Sequence, residues 1–290
     1  MRKNTTLIAG PTASGKSALA LKIAEETGGV VINADSMQVY DVLQVLTARP
    51  SVEDMQGVEH LMFGHVVPSR LYSTGLWLAD VKAVFERTEL KDRHLVFVGG
   101  TGLYFKALLG GLSEMPDIPE DLRAHWRERL AMEGSPALHG ELSKRDSETA
   151  ARLKPQDGQR IVRAIEVFEA SGKSIGFWQN QRGNALVDPA ATRKLCLQPE
   201  RQTLYARINQ RFQSMMTRGA LEEVRALLAL NLDPALPAMR AIGVGEISQY
   251  LSGTLSMEQA IEQSSTATRQ YAKRQTTWLR HQLGSDWSLI

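Results

Sequence analysis

Apolar residues gather in short runs along the first hundred positions. Residues 5–9 (Thr-Thr-Leu-Ile-Ala), Val30-Val31-Ile32 and Leu95-Val96-Phe97-Val98 each read as a short buried strand. Residues 17–27 carry Leu19, Leu21, Ile23 and Ala24 and stop at Gly28-Gly29, which predicts a helix. Residues 76–90 also have a helical pattern. Short apolar strands alternating with helices predict a parallel sheet covered on both faces.

After about Pro116 strand-like runs become scarce. Residues 123–131, 136–142 and 157–171 read as helices separated by Gly, Pro and polar turns, and residues 182–192 read as a loop. Residues 194–197 read as a strand returning to the core, followed by helices over 202–218, 221–229 and 257–283. The chain is therefore expected to hold an α/β core over residues 1–115 and 195–290, with a helical insertion over 116–194. It shows no internal repeat and no low-complexity tract.

With 290 residues, 43% apolar and 23% charged, the chain has the composition of an ordinary globular protein. A net charge of +2 neither demands nor excludes a nucleic-acid partner, so that question falls to local clusters. The single cysteine, Cys196, leaves no disulfide within the chain and makes a cysteine metal site implausible. The apolar run after Met1-Arg2-Lys3-Asn4 is too short for a signal-peptide core, and no stretch approaches the ~18 apolar residues of a membrane span. The expectation is a cytoplasmic monomer with no membrane partner.

Gly10-Pro11-Thr12-Ala13-Ser14-Gly15-Lys16-Ser17 satisfies G-x-x-x-x-G-K-[ST] between a predicted strand and a predicted helix. Such a loop turns several N–H groups inward around a phosphate, at a helix N-terminus that adds partial positive charge. Lys16 supplies a full charge, and the Ser17 hydroxyl suits a Mg²⁺ ion bound to the same phosphates. This makes the expected sheet P-loop NTPase-like and the ligand a polyphosphate, but not necessarily a hydrolysed nucleotide. Leu95–Val98 ends in Gly99-Gly100-Thr101, with no acid to hold Mg²⁺. Asp35, after Val30–Ile32, could fill that role in a small-molecule kinase, and it could equally be a helix N-cap.

Asp35-Ser36-Met37-Gln38-Val39-Tyr40 closely resembles a signature of the tRNA dimethylallyltransferases, and so does the whole loop 10–17. Gly99-Gly100-Thr101-Gly102-Leu103-Tyr104, the segment 159–167 (Gln-Arg-Ile-Val-Arg-Ala-Ile-Glu-Val) and the segment 268–278 also resemble blocks of that family, in family order. The chain departs from the pattern over residues 41–50, where a glycine-rich segment ending in lysine and proline is replaced by one ending Arg49-Pro50. A double histidine survives only as Glu59-His60.

The resemblance implies transfer of a dimethylallyl group from dimethylallyl diphosphate to the exocyclic N6 of the adenine beside the anticodon. Asp35 is then the implied general base, with Thr101 positioning the same amine. Lys16, Arg211 and loop 10–17 neutralise the departing diphosphate. Ser36, Met37 and Gln38, together with Arg123, Gln159, Arg160, Ile161, Val162 and Arg163, are the implied contacts to an anticodon stem-loop. Read alone, Arg211 belongs to a solvated helix face. Arg269, Lys273, Arg274, Arg280 and His281 form a basic run with no acid between Glu262 and Asp286. That run is either a solvated face or, in an RNA-modifying enzyme, a phosphate contact through Arg269, Lys273 and Arg274. A P-loop kinase, an adenylate isopentenyltransferase acting on free nucleotide, and a nucleotide-binding regulatory module are the competing readings.

Overall fold

Thr5–Ala9 forms β1, a strand buried at every position, with parallel neighbours on both sides. The computed structural model describes residues 1–181 and 183–290, so Arg182, the first residue of the expected 182–192 loop, lies outside the described residues. From β1 the chain runs through α1 (Lys16–Thr27), β2 (Val30–Asn33), α2 (Val52–Met55), β3 (His60–Leu61), α3 (Thr74–Glu86), β4 (Leu95–Gly99) and α4 (Gly102–Gly110). Next come α5 (Glu120–Glu133), α6 (Ser135–Arg145), α7 (Ser147–Arg152), α8 (Gly158–Ser171) and α9 (Ile175–Gln179). The last part is β5 (Arg193–Cys196), α10 (Arg201–Thr217), α11 (Ala220–Ala229), α12 (Val244–Leu251), α13 (Met257–Gln282) and β6 (Ser288–Leu289).

The sheet order is β3-β2-β4-β1-β5-β6. Every pairing is parallel, and Thr5 lies opposite Leu95, Val30 opposite Leu95 and Thr6 opposite Arg193. The expected α/β class, a P-loop NTPase-like parallel sheet flanked by helices, is what the chain adopts. Alternation along β4 sends its side chains to opposite faces. Val96 and Val98 pack with Ala20, Ile23 and Ala24 of α1. Phe97 meets Trp77 of α3 edge-on, while Trp77 stacks on Tyr104 at 4.1 Å and donates its indole N–H to the Asn33 carbonyl at 3.0 Å. Burying aromatic surface of this kind stabilises by roughly 1.5–3 kcal/mol per side chain.

Contacts divide the chain into two compact units, residues 1–109 with 185–290, and residues 110–184. The first holds the sheet and a second apolar cluster, in which Tyr40, Leu43 and Leu46 pack against Phe212, Met216, Val224 and Ile247. The second closes around Trp126, Leu138, Leu142, Ile161 and Ile165. No helix among the described residues is long and apolar enough to cross a membrane.

Sequence patterning finds β1, β2, β4, β5 and the long helices but passes over α4, α12, the short helices α2, α7 and α9, and the strands β3 and β6. The two edge strands are two residues each, shorter than any period can register. The α4 helix starts and ends on glycine and buries Tyr104, Phe105, Ala107 and Leu108, so it lacks the polar face that marks a surface helix.

Candidate active site

Strand order decides what gathers at the carboxyl edge of the sheet. β2, β4 and β1 are successive neighbours, so the segments that follow them lie side by side: residues 34–38, 100–102 and 10–17. Ligands of open α/β sheets bind at this edge. Thus Asp35 and Thr101 flank the same sheet edge as the phosphate loop, which sequence alone could only suggest.

The phosphate loop turns through two residues in the left-handed region, Ala13 with φ 61° and Gly15 with φ 92°. Gly15 is the N-terminal cap of α1 and has no side-chain capping partner, which leaves the helix N-terminus open to an anion. Lys16 folds back over the loop and donates to the Pro11 carbonyl at 3.1 Å. Desolvation pushes its ammonium down to about 8, with Asp35 opposing the shift and Arg211 adding to it. Arg211 on α10 is therefore close enough to feel Lys16; its side chain is exposed to solvent, and partial desolvation followed by repulsion from Arg207 holds its pKa below the ordinary value. Among the described residues Arg211 makes no ion pair, so nothing internal neutralises it.

Asp35 is held by its backbone. Its N–H donates to Asn33 Oδ1 at 2.8 Å, its carbonyl accepts from Asn33 Nδ2 at 2.9 Å, and its own Oδ1 accepts the Met37 N–H at 3.0 Å. The other carboxylate oxygen carries no hydrogen bond among the described residues. Thr101 Oγ1 accepts the Ser36 N–H at 2.9 Å and donates to Ser36 Oγ at 3.2 Å. Two tyrosines respond to Asp35: burial first, and its charge second, raise both Tyr104 and Tyr271 above the ordinary phenol range. Ser36, Thr101, Leu103, Tyr271, Arg274 and Trp278 line a cleft of about 220 Å³ beside these groups. Gln270, Lys273, Arg274, Thr277 and Trp278 line a neighbouring one of about 480 Å³.

Two expected contacts need correction, and three expected cations are already paired within the fold. Ile161 and Val162 are 0% and 5% exposed in the core of the 110–184 unit, so their side chains cannot reach RNA. On that helix, α8, Gln159 and Arg160 are exposed, and Arg163 pairs with Glu166 at 3.4 Å. Arg123, on α5, lies 3.9 Å from Glu120. Arg269 is not free either: Glu262, two helical turns upstream, reaches it at 2.9 Å, and Asn209 accepts from it at 2.5 Å. Lys273 and Arg274 remain exposed. The amide nitrogen of Gln38 donates to the Thr47 and Ala48 carbonyls at 2.9 and 3.0 Å, which leaves only its oxygen for a ligand.

One residue without an assigned role stands out. Gln275 on α13, 6% exposed, accepts the Thr12 N–H at 2.9 Å and donates to the Gly100 carbonyl at 3.1 Å. The signal is visible in the sequence: Gln275 is a polar residue in the buried stripe with Ala272 and Leu279, at helical spacing. Ser17, expected to bind metal, is exposed on the first turn of α1 and carries no hydrogen bond among the described residues. These residues contain no group of three or more His, Cys, Asp or Glu that could hold a metal ion. The Ser17 hydroxyl is a single hard oxygen donor, of the kind Mg²⁺ accepts beside phosphate oxygens and water.

Comparison with known proteins bears on the family and fold of the chain. The family model described as IPP transferase matches residues 38–282. A tRNA dimethylallyltransferase of Rhizobium meliloti (strain 1021) is 59% identical over 284 residues, 98% of this chain and 94% of the relative. One from Chelativorans sp. (strain BNC1) is 57% identical, covering 99% of this chain and 98% of the relative. Among solved structures, the full-length tRNA isopentenylpyrophosphate transferase of Bacillus halodurans superposes with a TM-score of 0.69 at 31% identity, over 100% of this chain and 90% of that one. A eukaryotic dimethylallyltransferase acting on tRNA reaches a TM-score of 0.83 at 27% identity, over 99% of this chain and 73% of that one.

Proposed function

The chain belongs to the IPP transferase family, and we propose that it transfers a dimethylallyl group from dimethylallyl diphosphate to the N6 of the adenine beside a tRNA anticodon. The observation that carries this reading is the row of loop 10–17, Thr101 and Asp35 along adjoining strand ends. It sets an anion cradle beside a carboxylate and a hydroxyl.

The adenine amine is a weak nucleophile, because its lone pair is delocalised into the ring. As that lone pair attacks the allylic carbon, the carbon–oxygen bond breaks and its electron pair leaves with the diphosphate. The amine proton passes to the free oxygen of Asp35, whose other oxygen stays on the Met37 N–H. Thr101, its proton directed at Ser36 Oγ, keeps a lone pair to accept the second amine N–H. Lys16, Arg211 and the N–H groups of loop 10–17 stabilise charge as it grows on the leaving diphosphate. A Mg²⁺ ion held by Ser17 would supply further neutralisation of the same oxygens.

The base must leave its stack to reach Asp35. The cleft between Ser36, Thr101 and the Tyr271–Trp278 face of α13 is suited to a flat, unpaired base, with Arg274 at its edge. Incubation with labelled dimethylallyl diphosphate and either tRNA or AMP tests the proposal. Label on tRNA is expected. Label on AMP alone would make the protein an adenylate isopentenyltransferase, and ATP consumption without prenyl transfer would make it a kinase.

A further inference from the structure

Thr12 and Gly100 belong to the segments that follow β1 and β4, neighbours in the sheet. Beyond the strand ends neither backbone group has a ladder partner, and the two need opposite things: the Thr12 N–H an acceptor, the Gly100 carbonyl a donor. A carboxylate or an ammonium could satisfy only one of them. A primary amide carries both functions a fixed distance apart. Gln275 satisfies both, at 2.9 and 3.1 Å, and its bond to Gly100 is fully buried.

We propose that Gln275 is a positioning residue that holds the diphosphate loop and the acceptor loop in register for prenyl transfer. This rests on the prenyl-transfer reading of the site. The tie continues past Gly100: Thr101 follows it directly and bonds both Ser36 N–H and Ser36 Oγ, next to Asp35. A single amide thus connects the cradle of the leaving group to the groups that orient the nucleophile. Displacement at carbon needs the amine and the leaving oxygen aligned, and a misplacement of about 1 Å can cost about 10²-fold in rate. The contact is close enough to exclude a side chain at residue 100, since a Cβ there would overlap the Gln275 amide nitrogen.

The test uses the full-length protein, labelled dimethylallyl diphosphate and an anticodon stem-loop. For Gln275→Met, which keeps the volume and removes both hydrogen bonds, the single-turnover rate should fall by about 10- to 100-fold. Affinities for pyrophosphate and for the stem-loop, measured separately, should stay at the wild-type value. An unchanged rate overturns the proposal. So does a fall in rate matched by an equal loss of pyrophosphate affinity, which would make Gln275 a scaffold of the donor loop alone.

Gly100→Ala approaches the same contact from its other end and should lower the rate by pushing the amide away. In a Gln275→Ala background that clash is gone, so Gly100→Ala should then cost nothing further. Additive losses overturn the proposal, and this comparison stands even if the Met variant folds poorly. A wild-type protein that labels neither RNA nor AMP would instead overturn the prenyl-transfer reading, leaving the positioning role without a reaction to serve.

Discussion

Lys16 is the cation the fold makes hardest to keep charged. Desolvation pushes its pKa down to about 8, against an ordinary value of 10.5, with Asp35 pulling back up and Arg211 pushing further down. Bound diphosphate requires the charged form, so the sign follows. Well below pH 8 the free protein already holds the proton and donor affinity is flat with pH. Above about 8 the proton must be taken up on binding, and affinity falls by up to about tenfold per pH unit. Pyrophosphate affinity measured across that range checks this, with Lys16→Met as the control for the ligand's own ionisation. An equal slope in the control removes Lys16 from the explanation. Asp35 enters the same balance and also has its own test. Asp35→Asn keeps the acceptor for the Met37 N–H but cannot take a proton. Its single-turnover rate should fall by about 10²–10⁴-fold, with donor affinity at neutral pH and the Mg²⁺ requirement retained. Its pyrophosphate pH midpoint should also move down, because the charge that supports the Lys16 proton is gone. A full rate with Asn at 35 would pass the proton to water, Thr101 or the leaving diphosphate.

At the scale of elements, the segment that departs most from the family pattern is not loose. Glu223 on α11 accepts three consecutive backbone N–H groups, from Gln44 at 2.9 Å, Val45 at 2.6 Å and Leu46 at 3.1 Å. Leu43 and Leu46 are buried beside it, and the next two carbonyls, of Thr47 and Ala48, hold the Gln38 amide. Where glycines would leave the backbone free, a carboxylate fixes it from a distant helix. Glu223→Ala should lower stability by about 1–3 kcal/mol and weaken stem-loop affinity through a released Gln38, while Glu223→Gln should recover part of both. Denaturant unfolding and RNA binding check this. A destabilised variant with unaltered RNA affinity would confine Glu223 to stability. Nothing in residues 41–50 announced the arrangement, because the partner lies about 180 positions away. Local pattern reveals β1, the phosphate loop and the long helices, since each is decided by its own residues. Strand order, which brings Asp35, Thr101 and Lys16 together, is decided by long-range packing. Gln275 was detectable only as a polar residue in the wrong stripe of α13. Ile161 and Val162 went wrong for the converse reason: a resemblance marks a segment, while helical phase decides which of its residues face outward.

For the molecule as a whole, a net charge of +2 gives little general attraction to RNA, so binding must depend on particular cations. The structure narrows the choice. On α13, Arg269 is neutralised by Glu262, while Lys273 and Arg274 border the larger cleft. In the 110–184 unit, Arg160 is exposed and Arg163 is paired with Glu166. Each phosphate contact on unpaired RNA contributes about 0.7 to the slope of log affinity against log salt. Lys273→Ala with Arg274→Ala should therefore reduce that slope by about 1.4 if both cations meet phosphate. Arg160→Ala should remove a further ~0.7, and the losses should add, because Arg160 on α8 shares no bonded partner with Lys273 or Arg274 on α13 among the described residues. Arg269→Ala should leave the slope in place and lower the unfolding midpoint instead, since what it loses is its internal bonds to Glu262 and Asn209. Stem-loop titrations at four or more salt concentrations separate these outcomes. A slope that falls with Arg269→Ala and not with Lys273→Ala and Arg274→Ala would return the phosphate contact to the residue that the folded helix has already paired.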